Sequence, residues 1–153
     1  MSADNHGWLV VLAEVEGLRW VLEKSRMAWT EASAGRASGI HAGDRRVLYV
    51  ARGAFHDPTR DESQLVGLAR VANTARRLRC PVKLARRRFV CRCDLRFELV
   101  LPEGAGVPVP RLVDRLSFVK RKDVWGECFR SALVQVPPDD LDLMAAAIHH
   151  HAA

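Results

Sequence analysis

Ten basic side chains crowd the 27 residues from Arg70 to Arg96: Arg70, Arg76, Arg77, Arg79, Lys83, Arg86, Arg87, Arg88, Arg92 and Arg96. The single acid among them is Asp94. The stretch is net +9 and the whole 153-residue chain is +6, so everything else is net −3. A field concentrated in this way suits the phosphates of a nucleic acid, whose binding weakens steeply with salt. A solvated basic loop has the same composition, and the sequence leaves both readings open. Arg36 and the run Lys120-Arg121-Lys122 supply further cations for phosphate contacts.

A second group of residues carries stacking chemistry. Trp29 opens a stretch of small and polar residues, Trp29 to Gly39, that includes Thr30, Ser33, Arg36 and Ser38. An aromatic face stacks on a base, and short hydroxyls or an arginine meet base edges and phosphates. Trp125 follows the charged turn Arg121-Lys122-Asp123, and Tyr49, the single tyrosine, lies on an apolar run. Each has an alternative role: Trp29 packed under the loop, Trp125 anchoring the last strand, Tyr49 in the core with its hydroxyl bonded. Trp8 and Trp20 read as core.

Other chemistries find less support. Cys91-Arg92-Cys93 lacks the Cys-x-x-Cys pairs of a zinc ribbon, and on a strand both thiols face the side of Phe89, Leu95 and Phe97, as small buried hydrophobes do. His149, His150 and His151 read as a tail. There is no Gly-rich phosphate loop, no His-Glu-x-x-His and no nucleophile elbow. His41, Asp44, His56 and Asp57 are acid–base residues that nothing in the sequence brings together. No catalytic residue, metal ligand or cofactor is assigned.

The elements that position these residues come from periodicity. Trp8 to Val15 reads as an opening strand and Gly17 to Met27 as an amphipathic helix. Trp29 to Gly39 reads as a loop, and His41-Ala42-Gly43-Asp44 as a tight turn. Arg46 to Val50 and Gln64 to Asn73 form a hairpin with a long tip, the second strand bulged at Gly67. Arg86 to Leu101 alternates cleanly, with Phe89, Cys91, Cys93, Leu95, Phe97 and Leu99 on one face. After the Pro-rich break at 102–110 come a short helix or turn at 111–116, a charged segment 118–125, a strand 130–136 and a helix 139–148 whose acidic start suits its dipole. Residues 1–148 make one domain and 149–153 a tail. No apolar run approaches the roughly 18 residues of a membrane span, no signal peptide is evident, and four cysteines are too few for a secreted framework, so a cytoplasmic location is expected. The class is α+β, a curved mixed sheet or pseudo-barrel with flanking helices.

The ordered set HAGDRRVLYV, QLVGLARV and DRLSFVKRKDVWGECFRSALVQVPPDDLDLM resembles the EVE domain family of the PUA-like superfamily, which is similar to YTH domains. The matching features are Gly43-Asp44, Gln64 to Val71, Leu116 to Val119, Lys120 to Lys122, Trp125 and Leu133 to Asp140, together with Trp8 and Trp29. The stretch Arg76 to Arg88 departs from that pattern. The resemblance implies DNA or RNA as partner and a reader of modified bases, with Trp29 as one wall of a pocket shared with Thr30, Ser33, Tyr49 and Trp125. Arg36, Arg76, Arg77, Arg79, Arg86, Arg87, Arg88, Lys120, Arg121 and Lys122 would then contact phosphates. An RNA-binding PUA-like protein without modification specificity, or a PUA-like hydrolase acting on RNA or nucleosides, is the alternative.

Overall fold

The computed structural model describes residues 7–37, 39–52, 54, 62–84, 87–129 and 133–152. Ser38, His56, Asp57 and Arg86, singled out above, lie outside the described residues. The elements run β1 (Gly7–Leu12), α1 (Val15–Lys24), β2 (Arg26–Trp29), α2 (Glu31–Ala37), β3 (Arg45–Val50), β4 (Gln64–Val71), β5 (Arg76–Leu84), β6 (Arg87–Val100), β7 (Val107–Pro108), β8 (Leu133–Val136) and α3 (Pro138–Ala152). Three 3-10 turns, Val109–Arg111, Val113–Arg115 and Lys122–Phe129, fill the connection between β7 and β8.

The sheet order is β2-β6-β4-β3-β1-β8, with β5 on β6 and β7 on β4. β1 pairs with β3 in parallel and the other ladders are antiparallel. The sheet curls into a half-barrel flanked by three helices, the α+β architecture expected. No described helix is long and apolar enough to cross a membrane.

Two apolar layers follow from strand alternation. One buries Trp8, Val10, Leu48, Val50, Cys93 and Leu95 with Leu18 and Val21 of α1 and Ala37 of α2. The other buries Leu9, Val47, Tyr49, Leu65 and Leu68 against Leu141, Met144 and Ile148 of α3. Bulges decide which layer a strand residue joins. In β6, Leu99 pairs with Leu68 and Phe97 with Ala69, so Glu98 is an extra residue. Phe97 therefore packs with the first layer and Leu99 with the second, where unbroken alternation had put them together. The bulge expected at Gly67 falls on its neighbour Val66, between the Leu48–Gly67 and Tyr49–Leu65 pairs.

Several stretches differ from the sequence reading, beginning with Arg26–Trp29, a strand paired with β6 where the helix was expected to run to Met27. Residues 30–39 were expected to be a loop, but Glu31–Ala37 is a helix that buries only Ala37. Ala is the strongest helix former, so three alanines suffice without an apolar stripe. Arg76–Leu84 is a strand, held because β6 offers it a ladder from Arg76↔Arg92 to Leu84↔Arg87. α3 also runs through His149, His150 and His151 to Ala152. The turn at Gly43 is as expected. Gly43 has φ 92, the Asp44 N–H donates to the His41 carbonyl at 3.1 Å, and Asp44 Oδ2 accepts from the His41 N–H at 2.9 Å.

Candidate nucleic-acid interface

The basic run folds into the β5–β6 hairpin. Its ladder sets Arg76 against Arg92, Lys83 against Arg88 and Leu84 against Arg87. Like charges opposed on a ladder, as Arg76 and Arg92 or Lys83 and Arg88 are, repel one another and cost stability. Arg76, Arg77, Arg79, Lys83, Arg87 and Arg88 are all exposed. Arg77 is tied to Glu31 of α2 at 2.5 Å, and its guanidinium holds the Glu31 carboxyl below the usual carboxylate range. Arg70 pairs with Glu98 at 3.0 Å and Arg26 with Asp94 at 3.5 Å. Among the described residues no acid forms an ion pair with Arg76, Arg79, Lys83, Arg87 or Arg88. A cleft of about 380 Å³ runs between α2 and β5, with Glu31, Arg76 and Arg77 on its walls and Ala34, Ala75 and Cys91 among its lining residues.

At the other end of the hairpin lies a groove of about 110 Å³. It is lined by Leu12 to Glu14 and Gly17, by Met27 to Thr30, and by Arg87 and Phe89 of β6. Arg87 Cζ lies 6.0 Å from the Phe89 ring centroid, a cation–π contact between residues on the same face of β6. Glu14, N-cap of α1, makes no side-chain capping bond and is the acid lining this groove. Trp29 and Thr30 sit here because β2 pairs with β6 in a register that sets Trp29 opposite Cys91. Trp29 is 2% exposed, and its indole Nε1 has no acceptor.

The structure separates the remaining candidates. Tyr49 and Trp125 belong to the second apolar layer, on the opposite face of the sheet from Trp29. Tyr49 stacks on Phe129 with centroids 4.7 Å apart, and Trp125 meets Phe129 edge-on at 5.6 Å. Burial pushes the Tyr49 hydroxyl pKa up, against a hydrogen bond with Ser63. A pocket holding Trp29, Tyr49 and Trp125 together is not formed, because neighbouring strand positions face opposite layers. Ser33 lies on α2, where its N–H donates to the Thr30 carbonyl at 3.0 Å.

Several of the cations expected to meet phosphate have partners in the protein. Arg36 Nη1 donates to the Leu133 carbonyl at 3.3 Å. Lys122 Nζ donates to the carbonyls of Val113 at 2.9 Å and Leu116 at 2.7 Å, closing the 3-10 turns. Arg121 pairs with Asp123 at 3.2 Å, while Lys120 is exposed. Arg76, Arg79, Lys83, Arg87 and Arg88 remain on the hairpin surface without an ion pair among the described residues.

Sequence reasoning missed Phe89 and Arg46. Phe89 was placed in the core, yet it is half-buried on the groove. The signal was an arginine two residues earlier on the same strand face. Arg46 is fully buried between the indoles of Trp8 and Trp29, its Cζ 5.5 and 6.0 Å from the ring centroids. Burial lowers its pKa to about 10, so the guanidinium stays charged at neutral pH. Asp44, also fully buried, accepts from Trp8 Nε1 at 3.1 Å, which commits its carboxylate to holding the core.

No protein-family model matches the chain, and no curated protein matches it. Solved structures do. The Mmi1 YTH domain superposes with a TM-score of 0.67 over 99% of this chain and 79% of that chain, at 9% identity. The Mmi1 YTH domain in complex with RNA gives 0.65 over 97% and 80%, at 8% identity. Rpa0253 from Rhodopseudomonas palustris, solved by NMR, gives 0.60 over 95% and 94%, at 18% identity. At such identities the likeness is one of architecture, and the chain has a YTH-like fold.

Proposed function

We propose that this protein is a nucleic-acid-binding module of the EVE and YTH kind, in which the β5–β6 hairpin grips phosphates and the adjoining groove at Trp29, Thr30, Arg87 and Phe89 receives a base, modified in the preferred ligand. The observation that carries this reading is the continuity of the two features. Arg87 lies both on the hairpin and on the groove wall, so a strand following the basic surface is led to the aromatic edge. Cations gather the polyanion and aromatic faces hold its bases, the usual division of labour in single-strand binding. The partner is DNA or RNA. Extruding a base costs a few kcal/mol, and one aromatic face returns roughly 1–3 kcal/mol, so the groove needs the hairpin contacts as well.

A second reading draws on the groove itself. At about 110 Å³ it is smaller than the ~300 Å³ at which ligand pockets usually begin, and Trp29 offers it little surface. That favours recognition of backbone and shape, with bases stacking on Phe89 regardless of modification.

Amide chemical-shift mapping with a short single-stranded oligonucleotide tests the proposal. Shifts are expected at 28–30, 76–83 and 87–89. Shifts confined to the 3-10 segment at 120–129, or none at all, would overturn it.

A further inference from the structure

Along β6, Arg88, Arg92 and Arg96 recur at every fourth residue, and each faces another cation across the ladder. Arg88 opposes Lys83, Arg92 opposes Arg76, and Arg96 opposes Arg70. Alternate residues of a strand share a face, and this face is opposite to that of Cys91, Cys93 and Leu95, which are buried in the first apolar layer. At ~3.4 Å per residue the three pairs stand about 13 Å apart and the row is about 27 Å long. Asp94, set between the last two pairs, is held by Arg26 at 3.5 Å and by Asn73 at 2.7 Å. Glu98 holds Arg70 at 3.0 Å. Among the described residues no acid forms an ion pair with exposed Arg96 or with half-buried Arg92, whose Nε has no acceptor. The row ends at a cleft of about 340 Å³ beside the Gly43 turn, with Arg70, Ala72, Arg96 and Phe97 among its lining residues.

We propose that this row is a backbone track: a single strand of nucleic acid runs along β6 from the hairpin past Arg92 to Arg96, and its last nucleotide enters the cleft at Gly43. The inference rests on the phosphate-gripping reading of the hairpin and gives that site a direction, a length and a far end. In a stacked strand one phosphate follows another every ~3.4 Å, so the cation pairs keep step with about every fourth phosphate and the whole row takes about eight nucleotides. A phosphate over a like-charged pair is attracted by both cations and offsets their mutual repulsion. Arg87 and Phe89 lie on the other face of β6 at the Arg88 end, so the groove and the cleft stand at opposite ends of the track.

The test compares labelled single strands of about five nucleotides, which span the hairpin alone, with strands of about twelve, which span the row. The longer strand is expected to bind with a salt slope steeper by about 1.4, for the two added contacts at Arg92 and Arg96. Arg96→Gln removes an exposed cation without an ion pair, so the fold should be unaffected. It should weaken the longer strand about fivefold at 100 mM salt and reduce its slope by about 0.7, with the shorter strand unchanged. Glu98→Gln, which releases Arg70, should tighten the longer strand alone. Equal slopes for the two lengths, or an R96Q protein that binds the longer strand as the wild type does, would overturn the track. The hairpin reading would survive that result if Arg79→Gln/Lys83→Gln still lowered the slope. If that double variant changed nothing either, both readings would fall.

Discussion

Removing two exposed cations from the hairpin should reduce the salt dependence of binding by a calculable amount. Arg76, Arg79, Lys83, Arg87 and Arg88 are exposed and form no ion pair among the described residues, whereas Arg70 and Arg77 are held by Glu98 and Glu31. If each free cation meets one phosphate of a single strand, each contributes about 0.7 to the slope of log affinity against log salt. Five contacts give a slope near −3.5, a loss of roughly 100-fold in affinity between 50 and 200 mM salt. The double variant Arg79→Gln/Lys83→Gln removes two contacts at positions with no partner to orphan, so its stability should stay within ~0.5 kcal/mol of the wild type. Its slope should fall to about −2, with a loss of roughly 20-fold over the same salt range. Fluorescence anisotropy with a labelled single strand at four salt concentrations measures both slopes. A wild-type slope shallower than about −1, or an unchanged slope in the double variant, would refute phosphate gripping by this hairpin.

Three further outcomes follow from buried groups. Asp140 is 3% exposed and accepts from the N–H and hydroxyl of Ser117, both at 2.9 Å, and from the Phe118 N–H at 2.8 Å. Asp140→Ala should cost about 3 kcal/mol and lower Tm by roughly 6–12 °C, and a melt showing less than 1 kcal/mol would contradict this role. In a thiol titration of the native protein at pH 8, exposed Cys80 should react first. Burial pushes the Cys93 thiol up to about 11, so it should react only on unfolding, and rapid native labelling at Cys93 would contradict its placement. Arg46→Met should cost about 3 kcal/mol or more, because it removes cation–π contacts with two tryptophans and leaves the fully buried Asp44 carboxylate without the positive charge that acts on it. The sign with pH is definite. Arg46 has its pKa lowered to about 10 in the folded state, below its ordinary value, so in the window between the two the unfolded chain binds more protons. Any Arg46-linked change is therefore a gain of stability as pH rises through that window, fully absent below it, and urea titrations at pH 9 and 11 on wild type and R46M isolate it.

The strands β1, β3, β4 and β6 were legible because apolar side chains alternate along them or run continuously where both faces are covered. The pairing of β3 with β4 as a hairpin, the turn at Gly43-Asp44 and the closing helix were legible from local signals as well. β5 was not, since RRLRCPVKL shows neither period, and Pro81 sits within the irregular stretch of its ladder between the Arg77 and Val82 pairs. Only β6 makes it a strand. α2 was hidden because small residues carry no stripe, and the change of face at Glu98 leaves no trace in an alternating pattern. Trp29 was found by type and position, yet its depth depends on Arg46, a strand residue whose burial no local rule predicts. Trp29→Ala consequently tests folding before binding, at an expected ~3–5 kcal/mol, whereas half-buried Phe89 and exposed Arg87 report on the groove.

The central claim is that one ligand engages hairpin and groove together. It is tested most directly by titrating matched single-stranded DNA and RNA, plain or carrying one N6-methyladenine or 5-methylcytosine, against wild type, Phe89→Ala and Arg79→Gln/Lys83→Gln. Wild type should prefer one modified strand, the Phe89 variant should lose that preference at unchanged salt slope, and the hairpin variant should keep it with a shallower slope. Equal affinity for plain and modified strands in all three proteins would contradict base reading in the groove.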